Sequence, residues 1–248
     1  MIRLYTENDL FENAEFSLCE NQHHYLKNVM RLKEKETVLL FNGKDGEWEA
    51  SIQTQTKKET TVFCTRRTRP QTDENLADIW LCFAPIKKTE IIIQKATELG
   101  VKTLIPVITE RTVISKVHPE KMKAQAIEAS EQSERLSVPE IKEAISLDTL
   151  LNTQNKERLY YFLNERGEGN KIDVTSSKQA FIVGPEGGFT PKEIEKMQAA
   201  KVIPLHLGRL ILRAETACIA ILSYIQIDRA LKKDCKMSQN ALNKKNNT

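Results

Sequence analysis

The sequence predicts an α/β protein with a mostly parallel sheet covered by helices on both faces, preceded by a small β-rich domain. From about residue 75 onward, short apolar strand-like segments alternate with helical segments, which is typical of a parallel sheet. Residues 1–70 instead contain short β-branched segments and one helix. The polar run 69–74, which includes Pro70, has the composition of a linker. The predicted domains are therefore 1–70 and 75–231.

In the first domain, alternation of apolar and polar residues predicts four strands. They lie at residues 2–5, 37–41, 48–53 and 60–66. The run Asn-Gly-Lys-Asp-Gly at residues 42–46 is a tight-turn signal between two of them. Strands of this length can close on one another into a small β-barrel.

In the second domain, strands and helices are predicted to alternate along the chain. The predicted strands are 79–84, 103–108, 159–163, 180–183 and 202–207. The predicted helices lie near 88–99, 119–135, 147–152, 191–200 and 214–231. The polar, Asn- and Lys-rich residues 232–248 are predicted to form a disordered tail.

Composition narrows the class of protein. The 248 residues are 40% hydrophobic and 29% charged, which suits a globular protein with a sizeable core. No apolar run is long enough to span a membrane, and the first residues lack the apolar core of a signal peptide. The five cysteines are an odd number without close spacing, so neither disulfides nor a zinc site is expected, and the cytoplasm is the expected compartment. The adjacent His23 and His24 diverge on a helix, so no metal is expected there either.

The net charge of +3 is unevenly distributed. Residues 232–248 hold five Lys and one Asp, a charge of +4, which leaves −1 for residues 1–231. Binding of a nucleic acid would therefore depend on local basic patches rather than on the overall charge.

The most informative motif is Gly-Pro-Glu-Gly-Gly-Phe-Thr-Pro-Lys-Glu at residues 184–193, which joins a strand to a helix. Its glycines permit positive φ and close approach of the backbone to a ligand. Thr190 fits an N-cap, Pro191 the first helical position and Glu193 the return partner of a capping box. The motif is neither a dinucleotide fingerprint nor a P-loop, which disfavours a nucleoside triphosphate.

A second strand, glycine and helix follow about twenty residues later, in Leu-Gly-Arg-Leu-Ile-Leu-Arg-Ala-Glu-Thr-Ala at residues 207–217. In open α/β sheets, ligands bind outside the carboxyl ends of the strands. Two glycine loops at neighbouring strand ends could therefore hold one small ligand between them.

Together, these two segments resemble the cofactor-binding region of the SPOUT methyltransferases, and most closely the ribosomal RNA small subunit methyltransferase E family. Residues 22–32, 94–101, 110–112 and 131–135 followed by Pro139 also match that family in order and spacing. The resemblance spans nearly the whole chain short of the tail. The chain departs from the family pattern at Leu210, where an arginine is usual, and at Ala214, where threonine is common.

The resemblance implies methylation of N3 of a uridine in 16S rRNA of the small ribosomal subunit, with S-adenosylmethionine as cofactor. It implies a SPOUT-type trefoil knot in the α/β domain, a PUA-like RNA-binding barrel at residues 1–70, and a homodimer. The cofactor would be lined by residues of the two loops and of one earlier strand. These residues are Leu163, Gly184, Glu186, Gly187, Gly188, Leu207, Gly208 and Leu212.

Arg213 and Glu215, at the start of the last helix, are the candidates for substrate and charge handling. An arginine near the uracil oxygens would stabilise negative charge, and a carboxylate could accept the N3 proton. Their structural alternatives are bracing of the loop and a favourable helix-dipole interaction. The candidate RNA contacts are basic or polar residues of both domains: Lys27, Arg31, Arg66, Arg67, Arg111, Gln132 and Arg135. Residues 1–70 are neutral overall, so a solvated mixed-charge surface is the alternative for that domain.

Two other functions remain open at this stage. One is a SPOUT enzyme that methylates a ribose 2′-hydroxyl, and the other is a non-catalytic RNA-binding ribosome-assembly factor.

Overall fold

The chain divides into two compact units. The computed structural model describes residues 1–74, 76–114, 116–164 and 176–246, with side chains described as far as residue 232. The first unit comprises Met1–Asn75 with Ala126–Val138, and the second comprises Leu76–Gln125 with Pro139–Thr248. Among the described residues, no helix combines the length and the apolar composition that crossing a membrane requires.

The first unit is built on a sheet of short strands. In the described residues these are β1 (Arg3–Tyr5), β2 (Glu15–Ser17), β3 (Thr37–Phe41), β4 (Glu47–Gln55) and β5 (Thr60–Arg69). The strands pair in the order β1-β3-β4-β5-β2, with β1 and β3 parallel and the other pairs antiparallel. The four predicted strands are confirmed, whereas β2 was not predicted. Closure into a barrel stays a prediction.

The helical segment of the first unit is wound unevenly. Helix α1 (Glu20–His24) continues into a π-helical turn at Tyr25–Val29, where the amide of Met30 donates to the Tyr25 carbonyl over 2.9 Å. Leu26 is fully buried in the core of the unit. The sequence predicted this helix but not its π-helical turn, in which Leu26 is the buried residue.

The segment 126–138 is bound to the first strand of its unit through Arg3. The Arg3 guanidinium donates to the Glu47 carboxylate over 2.7 Å and to the carbonyls of Ser130 (3.1 Å) and Arg135 (2.8 Å). Arg3 is 9% exposed. These bonds explain why residues from the middle of the chain belong to the amino-terminal unit, which the sequence pattern did not predict.

The second unit contains a parallel sheet. Its strands are β6 (Asp78–Phe83), β7 (Thr103–Ile108), β8 (Glu140–Ile141), β9 (Ile145–Ser146), β10 (Leu159–Leu163), β11 (Lys178–Val183) and β12 (Ile203–Leu205). Their order is β12-β10-β11-β6-β7-β8, with β9 also on β7, and all these pairs are parallel. The five predicted strands are confirmed to within a few residues, and the mostly parallel α/β sheet is confirmed with them.

The five helices predicted after residue 75 are confirmed among the described residues, although the last one continues past its predicted end at residue 231. They are α2 (Thr89–Glu98), α3 (Pro119–Gln132), α4 (Leu147–Asn152), α5 (Pro191–Ala199) and α6 (Ala214–Asn246), in addition to a 3₁₀ turn at Gln71–Asp73 in the first unit. Helix α3 ends three residues before the predicted end, and Glu134 just beyond it has a left-handed φ of 58°. Helix α6 is assigned through Asn246, and the tail predicted at 232–248 falls almost wholly outside the described side chains, so it stays a prediction.

Helix α6 packs through its first half. Cys218, Ile221, Leu222 and Ile225 are at most 2% exposed, whereas Leu231, further along the helix, is 62% exposed. The Gln226 amide donates to the Leu99 carbonyl at the end of α2 over 2.6 Å.

Cys64, Cys82 and Cys218 are buried free thiols, whereas Cys19 is exposed. Burial raises the pKa of the Cys64 thiol to about 11 and that of Cys82 to about 12. The side chain of Cys235 lies outside the described residues.

Candidate functional site

The second unit contains a cavity of about 350 Å³ at the carboxyl ends of β10, β11 and β12. It is formed by the segments that follow these three strands and by the first turns of α5 and α6. Its lining includes Arg111, Leu163, Gly184, Gly187, Gly188, Phe189, His206, Leu207, Gly208, Leu212 and Ala214. The cavity thus lies where the glycine motifs predicted a ligand site.

The first wall is the loop of residues 184–190, which we call the glycine loop. Its turn is closed by the Gly188 amide, which donates to the Pro185 carbonyl over 2.8 Å, and Gly188 has a φ of +66°. The loop ends at Thr190, whose hydroxyl accepts from the Glu193 amide while the Glu193 carboxylate accepts from the Thr190 amide over 2.8 Å. The predicted capping box and the start of α5 at Pro191 are therefore confirmed.

Phe189 explains the glycine at position 184. A Cβ on Gly184 would lie 3.1 Å from the Phe189 ring, which is closer than an ordinary contact. That ring makes an edge-to-face contact with Phe162 of β10, with centroids 6.2 Å apart. The loop is therefore folded back onto the sheet by an aromatic pair, and Gly184 leaves room for it.

The second wall is the segment 206–213, between β12 and α6. Gly208 has a φ of +112°, and its amide donates to His206 Nδ1 over 3.2 Å. Leu210, which also lines the cavity, and Ile211 are 82% and 64% exposed. Both predicted glycine loops thus contain a glycine in a conformation that other residues rarely adopt.

Most of the predicted cofactor contacts lie at this cavity. The lining includes all of them except Glu186: Leu163, Gly184, Gly187, Gly188, Leu207, Gly208 and Leu212. Glu186 is exposed in the turn of the glycine loop. Their role as cofactor contacts stays a prediction.

The two catalytic candidates flank the cavity without lining it. Arg213 is exposed, and its carbonyl accepts from the Ala217 amide over 2.8 Å in the first turn of α6. The Glu215 carboxylate is 13% exposed and lies 3.9 Å from Lys88 Nζ. Lys88, which follows β6, is thus a cation beside Glu215 that sequence reasoning missed.

The predicted RNA contacts are dispersed over both units. Arg31, Arg66 and Arg67 are exposed in the first unit, and Arg66 pairs there with Glu49 over 2.9 Å. Lys27 in the π-helical turn donates to the Thr56 carbonyl. Gln132 is exposed at the end of α3, and Arg111 lies in the second unit, at the cavity.

Arg135 requires a correction. It is 7% exposed, and its Nε lies 3.8 Å from the Glu74 carboxylate, which itself accepts from the Leu136 amide over 2.8 Å. Burial lowers the pKa of Arg135 to about 10, and Glu74 opposes that shift. A guanidinium held in this way braces the first unit and is poorly placed for a phosphate. Its sequence context gave no sign of burial, because the partner Glu74 lies in the presumed linker.

His206 and Glu193 make contacts that the sequence did not predict. His206, which no sequence motif singled out, lines the cavity, and its Nδ1 accepts from the Gly208 amide. Glu193 was expected only to cap α5, yet its second oxygen accepts from the Glu110 amide over 2.8 Å. The capping signal revealed the helix start, but no local pattern indicates a partner 83 residues away.

Comparison with known proteins agrees with this arrangement. A family model described as an RNA methyltransferase domain matches residues 72–226, and another described as an RNA methyltransferase PUA domain matches residues 18–62. The ribosomal RNA small subunit methyltransferase E of Rickettsia conorii is 37% identical over 234 residues, covering 91% of this chain and 95% of its own. The chain belongs to the ribosomal RNA small subunit methyltransferase E family. The Bacillus subtilis member of that family is 30% identical, with 91% of this chain and 95% of its own covered.

Two solved structures of methyltransferases with a bound cofactor are similar in fold to this chain. A methyltransferase of Legionella pneumophila, solved with bound SAM, aligns with a TM-score of 0.83 at 30% identity, covering 92% of this chain and 97% of its own. The ribosomal RNA small subunit methyltransferase E of Neisseria gonorrhoeae, bound to S-adenosylmethionine, aligns with a TM-score of 0.83 at 27% identity and the same coverage. The predicted resemblance is therefore confirmed.

Proposed function

We propose that this chain transfers the methyl group of S-adenosylmethionine to N3 of a uridine in 16S rRNA of the small ribosomal subunit. The observation that carries the proposal is the cavity between the two glycine loops. It occurs in a chain of the methyltransferase E family, and a family member from Neisseria gonorrhoeae that aligns over 92% of this chain was solved with that cofactor.

The cavity suits an adenosine-sized ligand. Its volume of about 350 Å³ lies within the range of small-molecule sites, and its walls are largely apolar side chains and glycine backbone. Two of its glycines leave no room for a side chain. A Cβ on Gly187 would lie 3.3 Å from Arg111, and a Cβ on Gly184 would lie 3.1 Å from Phe189. Leu163, Gly184, Gly187, Gly188, Leu207, Gly208 and Leu212 would hold the cofactor; Glu186 is the weakest of the predicted contacts.

The reaction needs a proton acceptor and stabilisation of charge. When bound, the cofactor supplies a methyl group activated by a sulfonium. Glu215 would accept the uracil N3 proton while the nitrogen electron pair forms the new N–C bond; the bond between the methyl carbon and sulfur breaks, and S-adenosylhomocysteine leaves. Arg213 would stabilise the negative charge on the uracil oxygens. Both residues adjoin Ala214, which lines the cavity. Correct orientation of the reacting atoms contributes about 7–11 kcal/mol in favourable cases.

The first unit is the proposed RNA-binding module, with residues 1–70 as a PUA-like barrel and 75–231 as the methyltransferase domain. The match of residues 18–62 to a PUA-domain model supports this. Exposed Arg31, Arg66 and Arg67, together with Lys27 and Gln132, would neutralise or contact the RNA backbone. Contacts of this kind give affinity that falls steeply with salt.

We further propose a homodimer and a trefoil knot in the second unit, acting in the cytoplasm, where ribosomes are assembled. Support for the dimer comes from apolar side chains of the second loop and α6 that are at least half exposed. They are Leu210 (82%), Ile211 (64%), Tyr224 (50%), Ile227 (60%) and Leu231 (62%). Support for the knot comes from the family and from the return of α6 to pack on α2 after the second loop.

One experiment tests the proposed function. Purified protein is incubated with labelled methyl donor and 30S particles that lack the modification, and the labelled nucleoside is identified and mapped. We expect 3-methyluridine at one position of 16S rRNA. A 2′-O-methylated nucleoside would instead favour the other SPOUT chemistry. Absence of both label and S-adenosylhomocysteine binding would favour a non-catalytic assembly factor.

A further inference from the structure

One wall of the cavity comes from outside the two glycine loops. Arg111 lies in the turn of residues 109–112 that follows β7, and it lines the cavity. In the sheet, β6 separates β7 from β11, which leads into the glycine loop. The Arg111 side chain therefore reaches across one strand to contact that loop.

The contacts of Arg111 are with backbone of the glycine loop. Its Nη1 donates to the Gly187 carbonyl over 2.7 Å and lies 3.5 Å from the Phe189 carbonyl. Its Cδ would lie 3.3 Å from a Cβ at Gly187, so the side chain runs directly over that glycine. Hydrogen bonds from a charged donor are among the stronger ones in proteins.

The turn that presents Arg111 is itself fastened to the same loop. The Glu110 amide donates to Glu193 Oε1 over 2.8 Å, and the Thr190 amide donates to Oε2 of the same carboxylate over 2.8 Å. Glu193 is 3% exposed. Within the turn, the Thr109 amide donates to Thr112 Oγ1 over 2.9 Å. These hydrogen bonds fix the backbone of the turn relative to the glycine loop, so the Arg111 side chain is held at a fixed distance from Gly187.

We propose that Arg111 is a positioning residue that holds the glycine loop in the shape that accepts the cofactor. This role rests on the proposed function and replaces the RNA contact predicted for Arg111 from the sequence. A guanidinium bonded to two loop carbonyls restrains a segment whose glycines would otherwise give it wide conformational freedom. Without Arg111 the accepting shape is less populated, and the apparent affinity for every ligand of the cavity falls by the same fraction.

The test measures binding of two ligands by calorimetry: S-adenosylhomocysteine, and 5′-methylthioadenosine, which lacks the amino-acid half. We expect Arg111→Ala to weaken both by the same factor, about 5- to 10-fold. Arg111→Lys should recover part of the loss, because it retains one charged donor. Lys192→Ala, which removes an exposed positive charge from the first turn of α5, is the matched control and should bind as wild type.

A second measurement does not depend on any ligand. Hydrogen exchange of residues 184–190 in the ligand-free protein should be faster in Arg111→Ala than in wild type and Lys192→Ala, while exchange in β10 and β11 stays unchanged.

Three results would overturn the inference while leaving the proposed function intact. Loss of S-adenosylhomocysteine binding alone would make Arg111 a direct partner of the ligand's carboxylate. Unchanged binding of both ligands with weaker rRNA binding would restore the RNA contact. Unchanged exchange in the glycine loop would show that Arg111 does not restrain it. Failure of the wild-type protein to bind either ligand or to methylate 30S particles would instead refute the proposed function.

Discussion

Gly188 offers a sharp test of how the glycine loop works. Its φ of +66° lies in the left-handed region, and its amide closes the turn onto Pro185 over 2.8 Å. A side chain at this position could weaken ligand binding through backbone strain or by filling the cavity. A series of Ala, Asn and Val at Gly188 separates the two causes, because Asn is larger than Ala yet tolerates positive φ better.

The magnitudes follow from the backbone. A left-handed conformation costs Ala about 1–2 kcal/mol, less for Asn, and more for the β-branched Val. If the loop relaxes to avoid that cost, the accepting shape loses population by the same free energy, so the dissociation constant rises about 5- to 30-fold for Gly188→Ala. We expect only a few-fold rise for Gly188→Asn and no measurable binding for Gly188→Val.

Calorimetry with S-adenosylhomocysteine measures the series, with rRNA affinity as the control that should change little. Binding by Gly188→Asn that is tenfold weaker than by Gly188→Ala would refute the strain argument and favour simple filling of the cavity. Methyl transfer at the normal rate by Gly188→Val would show that the cofactor site lies elsewhere.

Three further perturbations test other parts of the site and the core. Gly184→Ala places a Cβ 3.1 Å from the Phe189 ring, so the melting temperature and cofactor affinity should both fall; unchanged values would mean that the ring moves freely. Glu215→Gln should lower the single-turnover methylation rate about 10²- to 10⁴-fold with cofactor binding unchanged, whereas a normal rate would remove it as the proton acceptor. The raised pKa values of the Cys64 and Cys82 thiols (about 11 and 12) keep them protonated in the fold, while the unfolded chain loses those protons near pH 9. The free energy of unfolding should therefore fall as pH rises from about 9 to 12. Its slope against pH should be shallower in Cys64→Ala and in Cys82→Ala. An unaltered slope in these variants would contradict the raised pKa values.

Much of the fold could be read from the sequence, because its elements are long and regular. The strand Thr103–Ile108 and the helix Leu147–Asn152 have their predicted bounds. Parallel strands are buried on both faces and so form continuous apolar runs, and Thr190 with Glu193 marks a helix start by local chemistry. The two glycine loops were predictable for the same reason.

The remaining features depend on contacts between distant residues. Strand β2, at Glu15–Ser17, has Phe16 as its one apolar residue, so no alternation of apolar and polar residues marks it as a strand. The burial of Arg135 depends on Glu74, and the position of Arg111 depends on Gly187, 76 residues away. Neither separation leaves a periodic signal. The sequence could thus indicate where a ligand site lies, but not which side chains hold the loops around that site in place.

The carboxylate of Glu193 has a consequence for anyone who redesigns this site. Glu193 Oε2 accepts from the Thr190 amide at the start of α5, and Oε1 accepts from the Glu110 amide in the turn before Thr112. A shift of either segment would therefore break a hydrogen bond to the other. Grafting the glycine loop into another scaffold would therefore require transplanting residues 109–112 with it. Lengthening the loop by even one residue would break a junction that two separate stretches of chain share.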